Sequence, residues 1–403
     1  MRKIDFNIFL LYIIIKEMES KQANMKSNKS YLNSMVESSG ILNFTLQNIN
    51  LSVANALRRT ILSDIQILAF KTFPHKENQA DFIVNTSRIN NEILKQRLSC
   101  IPIHAIQHSQ PYEDLEVHIE KENTSQETIY VTTKDFRVKN IKSDKYLDDD
   151  IVNKIFPPNA ITGDYIIFAR LRPRISPEIP GEKIHIKAKM SLHTAGEDGA
   201  YNVTSMCSYN NTPDRIKQDS VWEEHSTTLT ETDPDELEIM KQDWYNLKAK
   251  RINIQNSFDF KIQTLGIFSN VNIVQKACDI MIYRIENLKN NISDPNVLSD
   301  MVSTYTDTTI PNCSDIILSN EGYTLGKVIE YIIHEKFYEE TKTLSYVGFK
   351  KPHPHSSDSL LRIAFKRNIS EIEKNNKVSS IISAACDIGI NIFTTIRDEF
   401  IND

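Results

Sequence analysis

Apolar positions along this chain change period several times, and each change marks an element. Apolar and polar residues alternate from 41 to 47, which predicts a strand, and Asn48-Ile49-Asn50 turns the chain toward a helix near Leu51. On that helix Val53, Leu57, Ile61, Ile65 and Leu68 recur at spacings of three and four and form one apolar face. At about 100° per residue, Arg59 lies nearly opposite that face, Arg58 at its edge and Asn55 beside Arg59. The pattern predicts a helix that buries one side in its own domain and shows the other to something else.

Residues 106–244 read differently. Short β-like segments at 115–120, 128–133, 165–171, 183–192 and 202–209 are separated by Pro, Gly, Asn and Asp clusters, which predicts an inserted, mostly β domain. Asp148-Asp149-Asp150 and the acidic stretch 223–238 are read as solvated. Alternation returns at 258–264, and a helix begins near Asn270 with Val274, Ala277, Met281, Ile285 and Leu288 as a long apolar stripe. Residues 290–311 are polar and carry little pattern. Beyond them 315–318 reads as strand, 324–334 as helix and 360–365 as strand. The last predicted helix, 370–400, places Val378, Ile382, Ala385, Ile392, Ile396 and Phe400 on one side.

The two ends of the chain thus repeat one plan: strand, polar turn, amphipathic helix, then an extended segment ending in a proline corner. The first copy holds Ala54-Asn55-Ala56-Leu57-Arg58-Arg59-Thr60-Ile61-Leu62, followed by Arg97-Leu98-Ser99-Cys100-Ile101-Pro102. The second holds Tyr323-Thr324-Leu325-Gly326-Lys327-Val328-Ile329, followed by Gly348-Phe349-Lys350-Lys351-Pro352-His353-Pro354. Both copies end in a long amphipathic helix. A diverged internal duplication of this kind predicts two halves that pair with each other.

Composition adds boundaries to that picture. A chain of 403 residues with 40% hydrophobic and 25% charged residues is long enough for two or three soluble globular domains. Its net charge of -6 argues against a free-standing nucleic-acid binder, which usually shows a basic footprint. Cys100, Cys207, Cys278, Cys313 and Cys386 are odd in number, widely spaced and without a C-x-x-C pair, so reduced thiols in an intracellular protein are expected. The same scatter argues against a structural zinc site made by this chain alone. Residues 6–15 are almost all apolar but too short to span a bilayer, which takes about 20 residues. They are read as part of a disordered or untranslated leader, 1–38, in preference to a helix that docks on a partner and, last, a secretory signal, with Met18, Met25 and Met35 as alternative starts.

Catalytic signatures are missing. There is no G-x-x-x-x-G-K-[ST] phosphate loop and no G-x-S-x-G elbow. Pro352-His353-Pro354 with His355 is read as a rigid extended corner over a metal-binding pair. His104 and His108 have metal-compatible i,i+4 spacing but follow Pro102 in a turn with no ligand cluster nearby. No cofactor and no metal are expected.

The run Asn55-Ala56-Leu57-Arg58-Arg59-Thr60-Ile61-Leu62 resembles the N-terminal domain of the α subunit of RNA polymerase and its archaeal and eukaryotic relatives. Asn85-Thr86-Ser87, Glu92-Ile93-Leu94, Arg97-Leu98 and Ile101-Pro102 resemble the next signature of the third-largest subunit, and Phe258 to Gly266 its C-terminal part. Beyond Asp294, Thr324-Leu325-Gly326 and Gly348-Phe349-Lys350-Lys351-Pro352-His353-Pro354 are similar to the eleventh subunit, the smaller partner. Tyr201 stands where that family usually has tryptophan, Tyr323 where it often has histidine, and the cysteine cluster that many third subunits carry is absent.

The resemblance implies an α+β fold of two α-N-terminal-like dimerisation halves fused in one chain, pairing intramolecularly, with a mostly β insert in the first. The implied division is 39–105 plus 245–290 as the third-subunit-like half, 106–244 as the insert, 291–312 as linker and 313–403 as the eleventh-subunit-like half. Asn55, Arg58 and Arg59 would meet the large subunits; arginine suits this role because its planar fork makes bidentate bonds at interfaces. Leu57, Ile61, Ile65, Val274, Met281, Ile285, Leu325, Val328, Ile329, Ile382, Ile392 and Ile396 would form the dimerisation core. The implied role is non-catalytic assembly of a DNA-directed RNA polymerase, with the second-largest, the largest and small zinc-binding subunits as partners and no direct contact with nucleic acid or membrane. Such fusions, with an Asn-, Ile- and Lys-rich composition, point to a large DNA virus of eukaryotes, acting in the host cytoplasm at the viral factory and with packaging in the virion left open. A regulatory or scaffold protein that reuses the fold for another partner is the alternative.

Overall fold

The computed structural model describes residues 30–104, 111–176, 178–228, 233–303 and 310–402. Its first strands, β1 (Leu32–Ser38) and β2 (Ile41–Gln47), form an antiparallel hairpin. Ser39 and Gly40 close it with φ of +53° and +74°, the left-handed geometry that matches strand twist in two-residue turns. The expected leader is therefore shorter than 1–38, because Leu32–Ser38 finds a partner in β2; residues 6–15 lie outside the described residues.

Helix α1 (Leu51–Ser63) follows, then β3 (Gln66–Ala69), β4 (Ala80–Asn85) and α2 (Asn91–Ser99). The middle of the chain supplies β5 (Leu115–Glu122), β6 (Ile129–Thr132), β7 (Phe136–Asn140), β8 (Lys145–Tyr146), α3 (Asp149–Ile155), β9 (Ile167–Leu171), β10 (Lys183–Lys189) and β11 (Ser191–Thr194). After β12 (Thr204–Pro213) come two helices, α4 (Arg215–Thr227) and α5 (Pro234–Asp243), then β13 (Asn253–Thr264) and the 24-residue α6 (Asn270–Ser293). The rest is α7 (Pro295–Met301), β14 (Val302–Ser303), β15 (Cys313–Leu318), α8 (Tyr323–Ile333), β16 (Leu344–Lys350), β17 (Ser359–Phe365) and the 32-residue α9 (Glu371–Asn402).

The chain divides into two compact units. One holds residues up to Ala56, Ser208–Lys261 and Met281–Asp403; the other holds Leu57–Cys207 and Ile262–Ile280. This division departs from the expected 106–244 insert. Strand β4, from before the expected boundary, hydrogen-bonds to β10 in the five-stranded sheet β4-β10-β5-β7-β8. Phe70, Leu94 and Leu98 pack in one apolar core with Val117, Ile119, Phe136, Phe168 and Ile186. One shared core cannot be cut at residue 105.

In the other unit, the sheet β1-β2-β13-β12 buries Leu42, Phe44 and Leu46 on one face. Phe44 stacks on Phe260 at 5.0 Å and meets Phe400 of α9 edge-on at 5.0 Å. A second sheet, β14-β15-β17-β16, places Asp315 directly opposite Arg362. Their two parallel bonds, both 2.6 Å, satisfy an aspartate whose side chain is only 2% exposed.

Three stretches with no helical period in their apolar residues are helical, and each has a cap. Asp214 accepts from the Lys217 N–H at 3.0 Å to start α4, within a stretch expected to end the β insert. Asp233 and Pro234 start α5 in the acidic stretch, and Asp294 and Pro295 start α7 in the expected linker. Conversely, α1 ends at Ser63, so Ile65 and Leu68 are not on the helix; Ile65 is still buried, and on β3 it is Ile67 rather than Leu68 that is buried.

Candidate docking and pairing surfaces

Helix α1 begins where Asn50 folds back, its side chain accepting from the Ser52 N–H at 2.8 Å and its carbonyl from the Val53 and Ala54 N–H groups. Val53, Leu57 and Ile61 are buried, Asn55 and Arg58 are half-buried, and Arg59 is exposed. The 3.6-residue period therefore puts Arg59 outward and Arg58 at the edge, as the sequence spacing predicts. Burial pushes the Cys207 thiol up to about 12, with the Arg58 guanidinium pulling the other way. Cys207, Cys278, Cys313 and Cys386 are buried and Cys100 is exposed. A thiol reagent at neutral pH is accordingly expected to label Cys100 in the folded protein and all five cysteines after denaturation. Labelling of Cys207 at a comparable rate would contradict this packing.

The Asn85-Thr86-Ser87 segment is a turn built by one side chain. Asn85 Oδ1 accepts from the Ser87 N–H at 3.0 Å, and Asn85 Nδ2 donates to the Ile89 carbonyl at 2.8 Å. The turn leads to α2, where Leu94 and Leu98 are buried and Arg97 Nη2 donates to the Ile167 carbonyl at 2.6 Å. Tyr201, at the tryptophan position, is buried and stacks on His193 at 5.2 Å. His193 contacts Ser191 Oγ and Glu197 Oε2, both at 2.7 Å. The network is local, with Ser191 and His193 on one face of β11 and Glu197 in the turn after it, so the i,i+2 and i,i+4 spacings are its only signal in the sequence.

In the second half the two motif pieces meet. A Cβ at Gly326 would collide with the Phe349 ring, so the glycine of Thr324-Leu325-Gly326 makes room for the phenylalanine of Gly348-Phe349. Phe349 also donates its N–H to Glu330 Oε1 at 3.1 Å and meets the Tyr323 ring edge-on at 5.3 Å. Gly326→Ala should overpack this contact at about 1–3 kcal/mol, offset by about 1 kcal/mol of helix propensity. Denaturant unfolding is expected to show net destabilisation; a stabilised variant would mean that Phe349 yields freely.

The predicted dimerisation residues are divided between the units. Leu57, Ile61, Ile65 and Val274 are buried in one; Met281, Ile285, Leu325, Val328, Ile329, Ile382 and Ile396 are buried in the other. Ile392 is a correction: it is half-buried on the flank of α9, and Phe393 takes the inward position. The buried stripe runs Val378, Ile382, Ala385, Phe393, Ile396, Phe400, and Gly389 spans its middle. A Cβ on Gly389 would lie 3.1 Å from Ile285 Cδ1 on α6 and 3.5 Å from Ile332 Cδ1 on α8. The sequence pattern missed this because a glycine carries no apolar signal.

Polar bonds tie the same elements. Lys289 pairs with Asp387 at 2.5 Å, Ser379 Oγ donates to the Ile292 carbonyl at 3.2 Å, and Arg284 binds Glu321 through both Nε and Nη2. By length and composition residues 373–401 of α9 are apolar enough to cross a bilayer. On that helix Phe393, Ile396 and Phe400 are buried.

Among the described residues, no group of three or more His, Cys, Asp and Glu side chains has metal-binding geometry. His353 and His355 sit 5.0 Å apart at the proline corner, where His353 Nδ1 accepts from the His355 N–H. Burial pushes the His104 imidazole below its ordinary range, and His108 lies outside the described residues.

Residues 43–285, more than half of the chain, match the family described as the RNA polymerase Rpb3/Rpb11 dimerisation domain. The chain is similar to DNA-directed RNA polymerases I and III subunit RPAC1 of Saccharomyces cerevisiae, 23% identical over 62% of this chain and 83% of the relative. It is likewise similar to DNA-directed RNA polymerases IV and V subunit 3B of Arabidopsis thaliana, 23% identical over 64% of this chain and 89% of the relative. With its mixed α and β strand–helix plan and its matched span, the chain belongs to the RNA polymerase Rpb3/Rpb11 dimerisation family, whose members are assembly-type polymerase subunits.

Proposed function

We propose that this chain is the assembly platform of a multisubunit DNA-directed RNA polymerase, with a third-subunit-like and an eleventh-subunit-like half fused and paired within one polypeptide. One observation carries the fusion. The family match stops at residue 285, and beyond it the chain has its own strand–helix–strand–strand–long helix series, β15-α8-β16-β17-α9, which packs on α6. The first half has a comparable series, β2-α1 and then β13-α6, with one strand ahead of the long helix and the β3–β12 elements between. The relatives support the reading too: they use most of their own length but leave about a third of this chain uncovered.

In this reading the second-largest subunit docks first, on the outward side of α1 at Asn55, Arg58 and Arg59, and the largest subunit then closes the active site. Small zinc-binding subunits join the platform. Fusion raises the effective concentration of one half for the other, so pairing needs no bimolecular encounter. The polymerase chemistry lies in the partner chains. The composition and the fusion favour a large DNA virus of eukaryotes as the source, with assembly in the host cytoplasm. A tagged chain captured from its native source and analysed by mass spectrometry should bring down two much larger polymerase subunits. Recovery of the chain with neither would overturn the proposal.

A further inference from the structure

Strand β1 lies ahead of the family match, and its first residue and the one before it are held by α9. The Tyr31 N–H donates to Glu399 Oε1 and Oε2 at 2.9 and 3.1 Å, and the Leu32 N–H donates to Oε2 at 2.7 Å. These residues are 368 and 367 positions apart in sequence. On its other side the Tyr31 carbonyl accepts from the Gln47 N–H at 2.8 Å, so one residue is bonded both to β2 and to α9.

The Tyr31 ring belongs to the same junction. Its phenol is pushed above the ordinary tyrosine range by burial, then by the Glu399 and Glu335 carboxylates. Tyr331 on α8 is raised by burial, then by its hydrogen bond to Glu335, with Tyr31 adding to the effect. The charges of Glu399 on α9 and Glu335 just after α8 therefore both act on Tyr31, the residue before β1. Nearby, Phe44 of β2 meets Phe400, the residue after Glu399.

We infer that Glu399 is a positioning residue that clasps β1 to the last turns of α9, so that the amino-terminal hairpin and the carboxy-terminal helix open and close as one unit. Chemistry favours this role. An ionised carboxylate accepting two backbone N–H groups makes stronger, shorter bonds than a neutral acceptor. The first N–H groups of an edge strand otherwise have no ladder partner. The inference rests on the reading that α9 belongs to the smaller partner-like half, and it gives that half a lock which the family match does not include.

Amide hydrogen exchange on the full chain tests it. Glu399→Ala should speed exchange by about tenfold or more, both in residues 31–38 and in the last three turns of α9, while α8 and the Asp315–Arg362 sheet keep their protection. Glu399→Gln keeps the shape and one acceptor oxygen, so it should fold normally and give an intermediate change at the same two places. A change confined to Tyr31 and Leu32, or no change in α9 with either variant, would overturn the clasp. Loss of polymerase capture bears on the proposed function and leaves this exchange pattern as it is, so the two failures are told apart.

Discussion

Arg59→Ala is expected to abolish most capture of the second-largest polymerase subunit while leaving thermal unfolding nearly unchanged. Arg59 is exposed on α1, opposite the buried Val53, Leu57 and Ile61. Its side chain lies outside the core, and substitutions at such positions usually change stability by within about 0.5 kcal/mol. Binding is another matter. Truncating an arginine anchor in a desolvated interface can cost about 2 kcal/mol or more, roughly thirtyfold in affinity at about 1.4 kcal/mol per decade. Arg58→Ala should do some of both, since Arg58 is half-buried and its charge is felt by the buried Cys207 thiol. Affinity of purified variants for the second-largest subunit, beside their melting curves, checks the pair. Normal binding by Arg59→Ala, or its unfolding, would remove the outward contact from the account.

The largest loss of stability is expected from Phe393→Ala. Phe393 is fully buried on α9, in the stripe that also holds Ile396 and Phe400. Removing a buried phenylalanine typically costs about 3–5 kcal/mol, as lost transfer free energy plus the cavity left behind. Ile392, one residue earlier, is half-buried, so Ile392→Ala should cost clearly less. Denaturant unfolding of the two variants side by side measures which face of α9 turns inward. A larger loss for Ile392→Ala would mean that the helix is rotated from the orientation described.

Which parts of this fold were legible follows from what periodicity can encode. Apolar residues at spacings of three and four placed α1, α6, α8 and α9 to within a few residues, and the outward position of Arg59 came from the same arithmetic. Alternation marks β2 and β13, and clusters of Pro, Gly, Asn and Asp bound most of the middle strands. Where the signal is carried by something other than apolar spacing, the reading failed. The Asp-Pro pairs that start α5 and α7 lie in polar stretches whose helices bury few side chains. Gly389 breaks the α9 stripe, which drew the reading to Ile392 in place of Phe393. Strand β1 has only exposed and half-buried residues, and its anchor Glu399 lies at the opposite end of the sequence. Division into units was missed for a similar reason: β4 joins β10 across about a hundred residues, a pairing that no local pattern announces.

Cutting the chain at one place asks whether its two parts hold together without a covalent link. A specific protease site inserted between Ser303 and Ile310 would separate α6 from β15–α9 in sequence while leaving every contact described between them intact. If the two proposed halves pair within the chain, through contacts such as Gly389 against Ile285, Lys289 with Asp387 and Phe44 against Phe400, the cleaved protein should elute as one particle of unchanged size. Its fragments should separate only under denaturing conditions. Two fragments that part under native conditions at micromolar concentration would contradict a fused, self-paired platform.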